Sequence, residues 1–171
     1  MIEQVVYVIR IVSLKIGMEK MKSPQERMNY VIKRLNMTKK WGRRFFFWKV
    51  IWRYYQIKYL ISIPSSTKIG ENFNIVHYGN IVINNAVIIG NNVSVAQGVT
   101  LGLAFGGKKQ GCPQIGNNVY IGANSTIVGN VVIGENSFIA PNTFINFDVP
   151  ENSLVIGSPG IIHKRQKTLE S

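Results

Sequence analysis

Near pH 7, histidine and cysteine are the side chains most readily used for proton transfer or nucleophilic attack, and this sequence has three of them: His77, His163 and Cys112. A neutral imidazole near pH 7 can take a proton from a hydroxyl group, so a histidine is the natural candidate for a general base. We expect His163, which lies in the C-terminal tail, to be structural or solvated. Two histidines cannot supply three histidine ligands to one zinc ion, and we therefore expect no metal site.

Cys112 is the only cysteine, so the chain cannot form an internal disulfide, and a reducing cytoplasm is the expected compartment. Only Lys108 and Lys109 stand near it in sequence to lower the pKa of its thiol. A small, packed loop residue is therefore a better interpretation of Cys112 than a nucleophile. We see no signal peptide, and the apolar run over residues 5–16 is too short to span a bilayer.

The elements that must position these side chains follow a six-residue repeat. An aliphatic residue returns at twelve positions, with one step of eight residues and one of fourteen: Ile69, Ile75, Ile81, Ile89, Val95, Leu101, Ile115, Ile121, Ile127, Ile133, Ile139 and Ile145. We assign the longer steps to Ile81–Ile89 and Leu101–Ile115. A period of six fits neither an α-helix nor a simple hairpin ladder. It predicts short strands separated by tight corners, where glycine and asparagine supply positive φ.

Three such hexads form one triangular turn, so the repeat predicts a mainly β protein, a parallel β-helix of about four turns. A β-sandwich with regular turns is the alternative, but its strands would not keep this register. The fourteen-residue step predicts an extruded loop over residues 103–114, and loops on rigid repeat scaffolds often line sites.

Positive charge is concentrated before the repeat. Residues 1–68 contain 15 Lys/Arg and 3 Glu, whereas residues 69–171 contain 5 of each sign, so the whole net charge of +12 lies in the first part. We predict three regions: a basic, aromatic-rich helical segment (1–62), a β-helix (63–160) and a tail (161–171). Helices are expected over residues 24–37 and 41–60.

The aromatic helix could have either of two roles. Its aromatic and basic residues suit the surface of an anionic membrane, which would make the protein peripheral on the inner face of the cell membrane. Alternatively, Trp48, Trp52 and Tyr55 could pack on the first turn of the β-helix, whose open end requires a cap. We favour capping, which is compatible with membrane contact. Nucleic acid is disfavoured because the chain has no recognisable binding motif.

Two stretches carry a resemblance to a known family. IVHYGNIVINNAVIIGNNVSVAQGVTLG begins at Ile75, and CPQIGNNVYIGANSTIVGN begins at Cys112. Together they resemble the hexapeptide-repeat acetyltransferases, in particular the serine acetyltransferase branch, over about residues 60–165. The resemblance implies a left-handed β-helix, a homotrimer, and acetyl-CoA bound between neighbouring subunits with no metal required.

The same resemblance implies roles for individual residues. His77 would be the general base that deprotonates an acceptor hydroxyl as it attacks the thioester, with backbone N–H groups stabilising the oxyanion. The positions that contact acetyl-CoA in the family fall on Gly102, Ala104, Gly122, Ala123, Pro141 and Asn142. Lys164 and Arg165 could meet the cofactor phosphates, or be solvated.

The acceptor positions depart from the serine acetyltransferase pattern. Where those enzymes carry two aspartates, this chain has Ser62 and Val76, and where they carry Arg-His it has Gly111 and Cys112. A carboxylate needs a cation or equivalent donors in a desolvated site. The Cys-Pro loop resembles instead the acetyltransferases of bacterial exopolysaccharide assembly, such as the colanic acid type.

Three functions follow in order of preference. The first is an acetyl-CoA-dependent O-acetyltransferase that modifies a sugar hydroxyl in capsular or exopolysaccharide biosynthesis, with a sugar or lipid-linked oligosaccharide as acceptor. The second is serine O-acetyltransferase in cysteine biosynthesis. The third, from another class, is a non-enzymatic β-helix scaffold or membrane-binding protein.

Overall fold

The computed structural model describes residues 18–38 and 42–164. The apolar run over residues 5–16 and the candidate Arg165 lie outside these residues. A short 3-10 helix (Met18–Lys20) precedes two α-helices, α1 (Pro24–Met37) and α2 (Arg43–Tyr59). Helix α1 begins where the sequence predicts, because the Ser23 side chain accepts a hydrogen bond from the Glu26 backbone N–H and Pro24 occupies the first turn.

Fifteen short strands follow. They are β1 (Ile61–Ser62), β2 (Lys68–Ile69), β3 (Asn74–Ile75), β4 (Ile81–Ile83), β5 (Ile88–Ile89), β6 (Ser94–Val95), β7 (Thr100–Gly102), β8 (Gln114–Ile115), β9 (Tyr120–Ile121), β10 (Thr126–Val128), β11 (Val132–Ile133), β12 (Phe138–Ile139), β13 (Phe144–Ile145), β14 (Ser153–Ile156) and β15 (Ile161–Lys164).

The strands stack into the three faces of a prism. Sheet A has the order β1-β4-β7-β10-β13, sheet B has β11-β8-β5-β2, and sheet C has β15-β14-β12-β9-β6-β3. All the pairs are parallel except the closing β14–β15 hairpin. The twelve predicted aliphatic positions point into one continuous core, in which all but Ile69 are buried. The predicted parallel β-helix is therefore confirmed.

One predicted step is misplaced. Strand β4 pairs with β7 so that Ile83, and not Ile81, aligns with Leu101. Both isoleucines are buried, and Ile83 stands six residues before Ile89. The eight-residue step therefore runs from Ile75 to Ile83. The two extra residues widen the corner between β3 and β4, which is the corner that carries His77.

Asparagines hold the corner between sheets B and C. Their side-chain amides donate from one turn to the next over 2.9–3.2 Å, in a ladder through Asn72, Asn92, Asn118, Asn136 and Asn152. Each of these residues has φ of 55–56°. Asparagine tolerates this left-handed conformation better than other non-glycine residues, and its amide pairs with the identical residue above. The recurring asparagine of the repeat is thus structural here.

Helices α1 and α2 close the open end of the first turn. Trp48, Ile51, Trp52 and Tyr55 of α2 are buried in the same core as the coil. The Trp52 indole N–H donates to the Ile63 carbonyl over 3.0 Å, and Asn29 of α1 accepts from the Ile75 backbone N–H over 2.9 Å. Side chains of the helices thus form hydrogen bonds with backbone groups of the first turn, which has no further turn of the coil below it. The division of the chain at residue 62 stays a prediction, although β1 already begins at Ile61.

Candidate active site

The residues predicted to form the site lie at two different corners of the prism. His77, Gly122, Ala123, Pro141 and Asn142 follow strands of sheet C, where the chain turns towards sheet A. The second group lies where the chain leaves sheet A for sheet B: Gly102, Ala104, Gly111 and Cys112. Sheet A lies between the two corners and carries Ser62 on its exposed outer face.

His77 sits in the widened corner, and its side chain is exposed. Two consecutive residues with positive φ, Gly79 at 116° and Asn80 at 52°, turn the chain back into β4. The corner is anchored to the next turn because the Gly98 backbone N–H donates to the Gly79 carbonyl over 2.8 Å. Within the described residues no hydrogen bond orients the imidazole, so the single chain leaves this ring accessible for a substrate or a neighbouring subunit.

The widened corner also contacts helix α2. The Tyr78 and Tyr59 rings lie with their centroids 4.5 Å apart, and Tyr59 stacks on Tyr55. A groove of about 450 Å³ opens beside this contact. Its lining residues come from the end of the helix and from sheet A: Arg53, Gln56, Ile57, Leu60, Ile61, Ser62, Asn80, Ile81 and Val82.

Ser62 is the one predicted acceptor residue in this groove, and the sequence did not single out Asn80 or Val82. The misplaced eight-residue step put the two extra residues after Ile81, so the corner that carries His77 and Asn80 was predicted to have ordinary width. The competing pattern Ile63, Ile69, Ile75 and Ile83, Ile89, Val95 was the signal that could have located them. Val76 directly precedes His77, and its backbone N–H is paired with the Val95 carbonyl.

Four candidates for cofactor binding lie above His77 on the same corner. Ala123 accepts from the Asn142 backbone N–H over 2.8 Å, so the turns that carry these residues are in direct contact. A Cβ on Gly122 would lie 2.6 Å from the Pro141 backbone nitrogen. The stacking of the turns by itself therefore requires glycine at position 122. Pro141 and Asn142 are exposed, which leaves them accessible to a ligand.

The predicted loop leaves the prism between β7 and β8. Ala104 and Gly111 pair at its neck through two antiparallel backbone hydrogen bonds, of 2.9 and 3.2 Å. Gly111 has φ of 132°, a conformation that only glycine adopts readily, and an added Cβ would lie 3.0 Å from the Asn130 Cβ. The neck thus requires glycine where the serine acetyltransferase pattern carries arginine.

The tip of the loop folds back onto the coil. Lys109 accepts from the Asn130 backbone N–H over 2.8 Å through its carbonyl oxygen, and its ammonium group lies 2.5 Å from Asp148. This hydrogen bond from Lys109, together with one from the Val132 backbone N–H, lowers the pKa of Asp148 below its ordinary value of 3.8. This charged contact therefore holds the loop tip over the corner where the chain passes from sheet A to sheet B.

Cys112 lies at the foot of the loop, half-buried and packed against the core. Burial raises the pKa of its thiol, so the thiol stays protonated at neutral pH. This supports its interpretation as a packed loop residue. His163 is exposed on β15 opposite Leu154. Over residues 18–38 and 42–164, no three histidine, cysteine, aspartate or glutamate side chains are grouped as a metal site.

A larger groove, of about 710 Å³, lies elsewhere, between α1 and the corner that joins β2 to β3. Its lining includes Lys33, Asn36, Met37 and Asn72 of the ladder, and it contains none of the predicted site residues. The His77 corner remains the candidate site in spite of the smaller groove there, because it combines an exposed imidazole with an irregular step.

Comparison with known proteins agrees with this geometry. Residues 112–146 match the family described as bacterial transferase hexapeptide (six repeats). The serine acetyltransferase of Staphylococcus epidermidis is 39% identical over 106 residues, which are 62% of this chain and 50% of the relative. The chain thus spans about half the length of the curated relatives it matches.

Solved structures give the same result. The serine acetyltransferase of Neisseria gonorrhoeae superimposes with a TM-score of 0.65 at 28% identity, over 84% of this chain and 55% of that one. The serine acetyltransferase of Brucella abortus in complex with coenzyme A superimposes with a TM-score of 0.62 at 25% identity, over 81% and 52%.

The fold and the repeat define a left-handed parallel β-helix, and its later turns are similar to the bacterial transferase hexapeptide family. Among solved and curated proteins, the chain is similar to serine acetyltransferases over about half of their length.

Proposed function

We propose that this protein is an acetyl-CoA-dependent O-acetyltransferase in which His77 is the general base. The observation that carries the proposal is the position of His77, exposed at the same corner of the prism as the four candidate cofactor residues, which lie two and three turns above it. His77 would take the proton from an acceptor hydroxyl while its oxygen attacks the thioester carbonyl, and coenzyme A would leave as the thiol. Gly122, Ala123, Pro141 and Asn142 would lie along the cofactor, since small side chains let a pantetheine chain approach the backbone.

Serine is the acceptor that the comparisons favour. The curated relatives and the superimposed structures are named serine acetyltransferases, whereas the sequence ranked a sugar hydroxyl first. A sugar acceptor finds no support among these relatives. We therefore place serine first among acceptors to be tested, with the reservation that this chain matches only about half of each relative.

A sugar hydroxyl is retained as the second candidate because of the loop neck. The φ of 132° at Gly111 excludes a long cationic side chain at the position where the family pattern places arginine. The groove at the His77 corner offers Ser62 and Asn80, which are neutral hydrogen-bonding side chains suited to hydroxyl groups, and Arg53 as its one cationic lining residue. An acceptor rich in hydroxyl groups would fit Ser62 and Asn80, whereas a carboxylate would have to reach Arg53.

We infer that the site is completed in a homotrimer. His77 precedes β4 and the loop follows β7, so in one chain they lie at opposite ends of the strands of sheet A. In a cyclic assembly each chain would present its His77 corner to the loop of a neighbour, which would give a composite site at every interface.

The first test compares His77→Gln with His163→Gln, which changes the other exposed histidine. We expect His77→Gln to lower kcat for thiol release from acetyl-CoA by a factor of about 10² to 10⁴, because general-base catalysis contributes that much. His163→Gln should retain full rate. Circular dichroism and sedimentation of both variants check that the fold and assembly are intact. Full activity of His77→Gln would exclude the mechanism.

The acceptor is identified by the same assay with L-serine and with oligosaccharide fragments supplied in parallel. Turnover of L-serine supports the first candidate, and turnover of oligosaccharides alone supports the second. Calorimetry of acetyl-CoA binding separates both from a non-enzymatic scaffold, because a scaffold should give no binding heat.

A further inference from the structure

The outer face of α2 carries an exposed apolar ridge. Phe46, Val50 and Ile57 are separated by four and seven residues, so they fall on one side of the helix. They are 47%, 55% and 65% exposed, respectively. Their side of the helix is opposite the buried one formed by Trp48, Ile51, Trp52 and Tyr55, so the ridge faces away from the coil.

Cations flank this ridge on both sides. Helix α2 contains five basic residues and no acidic one, and all five are exposed: Arg43, Arg44, Lys49, Arg53 and Lys58. Within residues 18–38 and 42–164, none of the five forms an ion pair, and Lys58 instead lies over the Tyr54 and Tyr59 rings. The helix therefore presents an uncompensated positive charge on the side where its apolar ridge is exposed.

We propose that α2 docks this face onto the surface of an anionic lipid bilayer. The apolar ridge would enter the boundary between headgroups and acyl chains, while the long basic side chains reach the lipid phosphates. The basic residues complement the negative charge of anionic lipid. The apolar ridge favours a bilayer over nucleic acid, because nucleic acid would bind through the charges alone. Across the described residues no helix has the length and apolar content to cross a membrane, so the contact is peripheral.

The ridge lies next to the groove at the His77 corner. Ile57, Arg53 and Leu60 line one wall of that groove, and Ser62 and Asn80 line another. Docking would thus hold the groove close to the bilayer surface, where an acceptor carried on a lipid could enter. This consequence rests on the second candidate acceptor of the proposed function, a sugar hydroxyl, whereas lipid binding itself does not and is measured separately.

The test is flotation of the full chain with vesicles of phosphatidylcholine alone or with one third phosphatidylglycerol. We expect binding only to the anionic vesicles, weakening as salt is added. Lys49→Gln with Arg53→Gln should weaken it by roughly ten- to thirtyfold, since each cation near the surface contributes about 1 kcal/mol. Val50→Asn with Ile57→Asn should weaken it to a similar extent.

Matched controls are available on the remainder of the chain. Lys33→Gln with Lys68→Gln removes the same charge from exposed positions outside α2, and Met37→Gln changes a similarly exposed apolar residue of α1. Both should bind as the wild type does, and circular dichroism verifies the fold of every variant.

Three results would overturn the proposal. One is failure of the wild type to bind anionic vesicles, and another is equal weakening by the control variants. The third is an apolar variant that binds vesicles normally but changes the oligomeric state, because a second copy would then cover the ridge. In the first case, binding of an oligonucleotide that depends on the cations would assign the face to nucleic acid.

Discussion

At Gly111 the backbone has φ of 132° and lies against Asn130, so this residue defines the neck of the loop. The residue type of His77 identified it as the candidate base. Its position in a wide corner depends on Gly79 and Asn80, which turn the chain with positive φ values. At Cys112 burial keeps the thiol protonated. The chemistry expected at each of these positions thus depends on backbone conformation or burial as much as on the side chain.

The prediction at the residue scale concerns this neck. Gly111→Ala should destabilise the protein by about 1–3 kcal/mol, the usual cost of a backbone conformation that side chains avoid. The measurement is urea unfolding followed by circular dichroism. Gly106→Ala is the control, because a Cβ there meets open space and its φ is unstrained. If Gly111→Ala leaves the free energy of unfolding unchanged, the backbone of the neck relaxes without cost.

Among the elements, the loop over residues 103–114 and helix α2 are positioned by different forces. Packing of large aromatic side chains on the coil holds α2, and this contact is insensitive to pH or salt. The loop is held at its neck by two backbone hydrogen bonds and at its tip by Lys109 and Asp148. Because both charged side chains are exposed, solvent and salt screen the contact at the tip.

This difference predicts a pH response of the loop. The folded-state pKa of Asp148 is lowered, so the contact is fully present above the ordinary carboxyl pKa of 3.8 and is lost as pH falls through the lower folded value. The loop should therefore stay attached at neutral and mildly acidic pH.

Asp148→Asn should release the loop tip at pH 7 while still accepting from the Val132 N–H. Hydrogen exchange at the Asn130 amide, which donates to Lys109, should then become faster. Glu151→Gln, at an exposed acid without an ion pair in the described residues, is the control. Unchanged exchange in Asp148→Asn would show that the backbone hydrogen bonds alone hold the loop.

For the whole molecule, the separation of His77 and the loop across sheet A predicts complementation between chains. One inactive chain carries His77→Ala, and another has residues 105–110 replaced by Asn-Gly, which allows Ala104 and Gly111 to close a two-residue hairpin. Each variant alone should be inactive. Co-refolded trimers should recover roughly a quarter of the wild-type sites, because each site draws on two chains at random.

Recovery is measured as the rate of thiol release from acetyl-CoA per mole of trimer. Sedimentation confirms that mixed trimers form. Mixed trimers without activity would show that a single chain contains the complete site, which would contradict the proposed arrangement.

The sequence by itself determined the periodic features. Hexads predict strands and corners because each inward aliphatic residue must stack on its equivalent, and that local requirement repeats along the chain. Helix α1, the extruded loop and His77 as the candidate base could also be predicted, since capping residues, loop length and residue type are all visible locally.

Only the tertiary structure decided the register at the one ambiguous place. Ile81 and Ile83 are both aliphatic, and either could continue the hexads; pairing of Ile83 with Leu101 across turns assigns the extra residues to the His77 corner. The groove with Ser62 and Asn80, the glycine-dependent neck and the exposed ridge of α2 were likewise decided by contacts between distant segments. Such contacts depend on which turns stack and which faces they leave open, and residue spacing does not determine either.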